Sequence, residues 1–320
     1  MKFSVCVPAT RASTVSRTVR SILGQTVADW ELLVVGQGDA REVEMATMAA
    51  SGGDQRVRWI HIDERGSSKA RNAALRAASG DVVALIDDDC EAAPDWLETI
   101  GRCLDQQPDV MLVGGALLAP APARRGPGNC PSLVPSDSVY DPIPDHRQAP
   151  PGWDWVTANV GFRRPILERI GLLDEHLGPG TNFQSCEDTD FKLRFERAGV
   201  RMRTTPGAIV HHTFGWRYGV RAVLRHQRNY ARGNGAMAAK LTLMGDLRGM
   251  EWWREMRDDC LARWYRRGAI VQLPAGLRRW RHFSRAYREC VTAFRVDERG
   301  LLTPSTAAPA RVPAYGVTRT

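Results

Sequence analysis

Val82-Val83-Ala84-Leu85-Ile86-Asp87-Asp88-Asp89 is the stretch on which the reading of this chain turns. Five apolar residues with no polar interruption have the length and β-branched content of a strand buried on both faces, and three carboxylates mark where it leaves the core. Oxygen donors grouped at a strand exit suit a hard divalent cation, and Mg²⁺ is usually held by one or two protein carboxylates together with substrate phosphates. The run therefore points to a metal site and a phosphorylated substrate. The competing reading is a solvated acidic turn ahead of a helix near Pro94, where Asp at a helix start and Pro in a first turn are both favourable.

Working outward, similar β-rich runs occur at Phe3–Val7, Glu31–Val35 and Val57–Ile62, separated by helical patterns at Thr14–Gln25, Ala40–Ser51 and Ser68–Ala78. This βαβα alternation implies an α/β fold with an open, mostly parallel sheet, which binds ligands beyond the carboxyl ends of its strands. Pro8, Gly36 and Asp87 fall at that edge. A helix over Asp95–Gln106 and a strand over Val110–Val113 extend the unit. Nine of the 19 prolines lie between Pro120 and Pro151, which predicts a loop without regular structure crossing the same edge. Beyond it the pattern predicts a strand at Trp155–Asn159, a helix around Arg164–Ile170, another from Glu187 to Ala198, and strands at Val200–Thr204 and Ala208–His211.

The 320 residues, 43% of them hydrophobic, are ample for a globular core. No run approaches a membrane span, and Met1 leads directly into Phe3–Val7 with no signal-peptide pattern, so a cytoplasmic, non-spanning protein is expected. Seven scattered cysteines without CxxC spacing read as free thiols used in packing. The net charge of +8 is uneven. Residues 213–320 hold 21 of the 44 Lys and Arg but only 8 of the 36 Asp and Glu.

That basic tail has helical periodicity: Val220, Val223, Leu224, Gln227 and Ala231 on one stripe, Arg221, Arg225, Arg228 and Arg232 on another. The segregation recurs with Trp253, Met256, Cys260 and Trp264, and with Leu277, Trp280, Phe283, Tyr287, Val291 and Phe294. Basic amphipathic helices bearing Trp and Phe suit peripheral binding at an anionic membrane, and packing on the protein itself is the equal alternative. The division expected is 1–215 for the catalytic part (1–115 a nucleotide-binding half, 116–152 the Pro-rich loop, 153–215 an acceptor half), 216–299 for a helical extension, and 300–320 for a disordered tail.

A second acidic group, Glu187-Asp188-Thr189-Asp190, begins a helix. A transferase needs one carboxylate site for a cation and another to take a proton from the nucleophile. Together with Val7-Pro8-Ala9-Thr10, Ser21 through Thr26, Trp30 through Val35, Ala70-Arg71-Asn72, Gly80-Asp81-Val82, Asp87-Asp88-Asp89, Asn159 through Arg163 and Gly171 through Glu175, it resembles the ordered motifs of family 2 glycosyltransferases with the GT-A fold. The resemblance covers about residues 1–240.

It implies an inverting sugar transfer from a nucleoside-diphosphate sugar to a hydroxyl of a saccharide or lipid-linked acceptor, with Mn²⁺ or Mg²⁺, as in surface polysaccharide or glycolipid synthesis. Pro8, Thr10 and Arg11 match the nucleotide-binding rim, and Arg71 the arginine near base and phosphates. Asp87 matches the acid near the ribose, with a share in the metal, and Asp89 the acid most directly on it; Asp88 stands on the nucleotide side as the member expected to tolerate loss. Asp188 matches the general base and Glu187 an orienting partner. His211, after an apolar strand, matches a histidine that reaches the metal; of two adjacent histidines on a strand only one faces the site. Where many members carry an acid that reads uracil, this chain has Gln37, which leaves the base open. Cys186 replaces a glycine common before the second acidic group. Trp153 and Trp155 could wall the sugar or fill the core.

Two further readings stay open: a nucleotidyltransferase, which shares the metal logic but leaves the Glu187–Asp190 group without a task, and a nucleic-acid-binding module, for which no recognisable motif is present.

Overall fold

The order in which strands pair explains why Asp87–Asp89 line a crevice. The computed structural model describes residues 1–305 apart from 123–124, 126–127, 143–148, 214 and 262–272. The first four strands are β1 (Phe3–Ala9), β2 (Trp30–Gln37), β3 (Val57–Ile62) and β4 (Val82–Ile86), connected by helices α1 (Ala12–Leu23), α2 (Arg41–Ser51) and α3 (Ser67–Ala77). They pair in parallel in the order β3-β2-β1-β4. After β1 the chain moves to one side, through β2 to β3, and then returns to the other side as β4. The connections diverge there, leaving a crevice at the carboxyl ends of β1 and β4. Residues 10–11 leave β1 at that crevice, and Asp87–Asp89 leave β4 at the same place.

The sheet continues through β9 (Asn159–Arg163), antiparallel to β4, then β6 (Val110–Leu118), β10 (Arg201–His211) and the short β5 (Glu91–Ala92). Strand alternation divides the core in two. Val5, Val7, Ala84 and Ile86 pack on one face with α1 and α4 (Trp96–Gln106), and Cys6, Leu33, Val83 and Leu85 pack on the other with α3. Burial on both faces is why these strands read as unbroken apolar runs. Helices α5 (Ile166–Ile170) and α6 (Glu187–Arg197) complete this half, the latter packing Phe191 and Phe195 edge-on to Trp155 and Phe162.

Several sequence expectations are corrected. No strand forms at Trp155–Asn159; the strand starts at Asn159, and both Trp153 and Trp155 are buried in the core, so neither walls a sugar site. The two strands expected at Val200–Thr204 and Ala208–His211 are one, β10, whose pairing with β6 slips between Thr204 and Ile209. Pro206 falls in that slip, where an irregular ladder tolerates it. The Pro-rich stretch is not wholly irregular: β7 (Gly128–Asn129) pairs with β11 (Arg217–Tyr218), and β8 (Ser138–Tyr140) pairs with β10.

Contacts divide the chain into two compact units, one of Met1–Glu175, Pro179–Thr181 and Glu187–Val223, the other of His176–Gly178, Asn182–Cys186 and Leu224 onward. The second contains most of α7 (Val220–Leu243), then α8 (Arg248–Leu261), α9 (Leu273–Ala293) and a hairpin of β12 (Phe294–Val296) with β13 (Leu302–Pro304). Within it Arg232 reaches Glu289 at 2.9 Å, and Tyr287 donates to Thr242 at 3.2 Å, binding α7 to α9. Leu302 is buried, so the disorder expected from residue 300 does not extend to 300–305; residues 306–320 lie outside the described residues. Among the described residues no helix is long and apolar enough to cross a membrane.

Candidate active site

The three aspartates have three different partners. Asp88 is 5% exposed and turns back to the β1–α1 turn, accepting from the backbone N–H of Thr10 at 2.6 Å, the Thr10 hydroxyl at 3.1 Å and the N–H of Arg11 at 3.0 Å. Burial pushes its carboxyl up to about 6, against the pull of the Thr10 N–H. Expected to be the expendable member, it is the one that fastens two loops together. Its carboxylate is occupied by protein donors, in place of the nucleotide contact expected of it.

Asp89 accepts from Arg11 Nη1 at 2.6 Å and lies 3.4 Å from His212 Nε2. Although burial opposes ionisation, His212 and then Arg11 hold its carboxyl down, at about 2. One oxygen of Asp89, Cys90 Sγ and a His212 ring nitrogen lie within 4.8 Å of one another. Burial, followed by repulsion from Asp87 and Asp89, keeps the Cys90 thiol protonated, so it offers no thiolate and the usable donors are the carboxylate and the imidazole.

The histidine beside Asp89 is His212, not the expected His211. Ala208 and Val210 are fully buried in the same core cluster, and alternation returns His212 to their face and sends His211 to solvent. The His212 backbone N–H donates to the Leu118 carbonyl at 2.8 Å, and Nδ1 lies 3.0 Å from the Pro131 carbonyl. Nδ1–H donates to Pro131 and Nε2 faces the Asp89 carboxylate as N–H; on loss of that proton Nε2 would offer a lone pair to a cation. His212 is held above its ordinary value by Asp89 despite its burial.

Asp87, expected at the metal as well, is outside that group. Its Oδ1 accepts from Arg71 Nη2 at 2.5 Å. Arg71 is 2% exposed, and its Nη1 lies 3.6 Å from Glu187 Oε1. One buried guanidinium thus spans the two acidic groups that stand 100 residues apart in sequence, Asp87 and Glu187. Nε and Nη1 of Arg71 have no hydrogen-bond partner among the described residues. Buried donors of this kind are costly unless something completes their bonding.

Glu187 is buried and Asp188 half-buried at the start of α6. Burial raises both carboxyls, for Glu187 with repulsion from Asp188 added, and Arg71 opposes the shift in each. Asp188 Oδ1 accepts from the Thr189 N–H at 2.7 Å. A half-exposed carboxylate with an elevated proton affinity is suited to accepting a proton.

The remaining expected residues take supporting positions. Pro8 is buried within β1, beyond Cys6 where pairing with β4 ends, so its missing N–H breaks no ladder bond with β4. Thr10 and Arg11 lie exposed at the crevice, as a nucleotide rim requires. Gln37 is 8% exposed, and its carboxamide oxygen accepts from the Gly66 N–H at 2.8 Å. That oxygen holds the turn before α3, whose Gly66 has φ 146°. Cys186 has φ 72°, the left-handed region a glycine adopts without strain, which accounts for the glycine expected there. His212 and Asp88's clasp are the features sequence reading missed. Alternation from Val210 carried the signal for the first.

The sequence family described as "Glycosyl transferase family 2" matches residues 4–171. A glucosyl-dolichyl phosphate glucuronosyltransferase of Haloferax volcanii is 29% identical over 221 residues, covering 66% of this chain and 69% of that protein. An uncharacterized protein, y4gI, of Sinorhizobium fredii is 40% identical over 230 residues, which are 65% of this chain but only 24% of that protein. Among solved structures, a mannosyltransferase of Pyrobaculum calidifontis in complex with GDP-Man and Mn²⁺ superposes with a TM-score of 0.58 at 15% identity, covering 90% of this chain and 86% of that one. At that identity the likeness is one of fold.

Proposed function

The chain belongs to glycosyl transferase family 2 and has its GT-A fold, and from that premise we propose an inverting transfer of a sugar from a nucleoside-diphosphate donor to an acceptor hydroxyl. The observation that carries this reading is the span of Arg71 between Asp87 and Glu187, which draws a donor-side acid and a base pair into one site.

In this reading Thr10 and Arg11 form the nucleotide rim, kept in place by Asp88. Asp89 and His212 would hold a divalent cation, their oxygen and nitrogen donors being compatible with Mn²⁺ or Mg²⁺; when bound, it neutralises charge gathering on the leaving diphosphate. Arg11, now paired with Asp89, supplies a second positive charge at the same place. Asp188 accepts the proton of the acceptor hydroxyl as that oxygen forms its bond to the anomeric carbon, and the bond to the diphosphate breaks on the opposite face, inverting the centre. Glu187, anchored by Arg71, stands beside Asp188 as its orienting partner, its own carboxyl pushed up to about 7 by burial and the Asp188 charge. A lipid-linked acceptor is proposed from the dolichyl phosphate relative, and surface glycolipid or polysaccharide synthesis is the pathway class that follows. The seven cysteines are free, which suits a reducing compartment and work at the cytoplasmic face of a membrane.

A thermal-shift screen of nucleotide sugars with Mn²⁺ tests the donor half. The correct donor raises the melting point in the native chain and not in Asp89→Ala. Product analysis then separates mechanisms: nucleoside diphosphate identifies sugar transfer, whereas pyrophosphate would identify a nucleotidyltransferase.

A further inference from the structure

Among the described residues of the second unit, unbalanced positive charge is concentrated on two helices. Helix α7 carries five cations and no acid, α9 carries five arginines and one acid, Glu289, and α8 mixes three arginines with four acids. A basic composition serving solubility alone would be expected to spread over all three. Arg232 and Arg285 both pair with Glu289, and Arg279 pairs with Asp259. Arg225, Arg228, Arg278 and Arg281 are exposed and have no ion pair among the described residues.

The two helices present these cations together. Arg232 of α7 and Glu289 of α9 are in contact, and the backbones close up where Gly235 meets Phe283. His282 lies in the field of Arg228 and Arg232 from α7 and of Arg278 and Arg285 from α9. Partial burial and then that field hold its imidazole below the ordinary value. Four guanidiniums converging on one half-buried histidine, with a single carboxylate to offset them, leave a surface of unspent positive charge. Beside Arg281 on α9, one turn away, stands an exposed apolar side chain, Leu277 at 43%.

We propose that this α7–α9 face docks the protein on an anionic phospholipid bilayer, its arginines on lipid phosphates and Leu277 in the headgroup boundary. Charge complementarity commits the occupant to an anionic surface. The exposed leucine favours lipid over nucleic acid, because a bilayer boundary takes in apolar side chains and a duplex backbone offers them only phosphate and sugar.

The test is flotation of the full chain with vesicles of phosphatidylcholine alone and of phosphatidylcholine mixed equally with phosphatidylglycerol, at low salt. Binding to the mixed vesicles only is expected, and its loss at high salt. Replacing Arg225, Arg228, Arg278 and Arg281 together by Gln should weaken it on the order of several-hundred-fold, about fivefold for each cation near the surface. The corresponding four Arg→Lys changes should preserve it. Melting curves check that each variant is folded; if the Gln set is not, Arg281→Gln alone must show the fivefold loss. Unchanged binding by a folded Gln set, equal binding to neutral vesicles, or duplex DNA outcompeting the anionic vesicles would each overturn the proposal. Donor and acceptor are absent from this assay, so its failure leaves the transfer reading intact.

Discussion

Arginine has opposite uses in the two units. In the first, Arg71 is buried and held between Asp87 and Glu187, and Arg11 lies against Asp89. In the second, Arg225, Arg228, Arg278 and Arg281 stand in solvent without a carboxylate partner among the described residues. Burying a guanidinium costs desolvation that only well-placed partners offset, so its position is fixed by geometry and a small change is felt strongly. An exposed unpaired guanidinium costs the fold little and acts through the field it projects, which salt screens. The contrast predicts steep, residue-specific effects in the first unit and shallow, additive ones in the second.

The largest effect is expected at Asp188. Asp188→Asn keeps the shape and removes the proton acceptor, so turnover should drop by about 10²–10⁴-fold while the donor-induced thermal shift survives. The native enzyme should lose kcat/KM as pH falls, because the base must be ionised. Both carboxyls of the Glu187–Asp188 pair are raised, so that acid limb should lie above the ordinary carboxylate range. A limb at or below that range, or near-native turnover in Asp188→Asn, would remove Asp188 from the role. Next is Asp89→Ala, which should abolish the Mn²⁺-dependent part of donor stabilisation, worth about 2.7 kcal/mol when donor is at a hundred times its Kd. His212→Ala should lose part of the same shift and His211→Ala none of it.

Legibility in sequence follows the same divide between local and distant causes. Strands β1 to β4 could be read because burial on both faces imposes an unbroken apolar run, and their helices because each leaves its own periodicity. Asp87, Asp89 and Asp188 were visible as acids at the ends of such elements. The partner of Asp88 was not visible, since it lies 78 residues away across the sheet. The partner of Gln37 was hidden for the same reason: its oxygen accepts from Gly66, a residue whose nearness depends on how the β3–α3 turn folds. The histidine choice was legible and missed. Counting from buried Val210 selects His212, whereas reading the end of the apolar run selects His211.

A third, smaller effect sharpens the account of the acidic run. Asp88→Ala leaves the N–H groups of Thr10 and Arg11 without the buried carboxylate that accepts from them, so denaturant unfolding should show a loss of about 1–3 kcal/mol. Because donors at Thr10 and Arg11 need only an oxygen, Asp88→Asn should recover much of it. A negligible loss in the alanine variant would mean that the turn is held by its own backbone and that Asp88 acts elsewhere.

The smallest effect belongs to the second unit and is informative for being small. Arg281→Gln on α9 removes a charge that makes no ion pair among the described residues, so the folded state loses no specific contact. Surface substitutions of this kind stay within about 0.5 kcal/mol. The sign should lean toward stabilisation at low salt, because Arg278 and Arg285 lie one turn away on either side and like charges at that spacing repel. Added salt should erase the difference between variant and native chain. A loss of more than about 1 kcal/mol would place Arg281 among the fixed, partnered arginines instead. The distinction between an arginine that builds the fold and one held out to an anionic partner would then fail at the residue where it is most exposed.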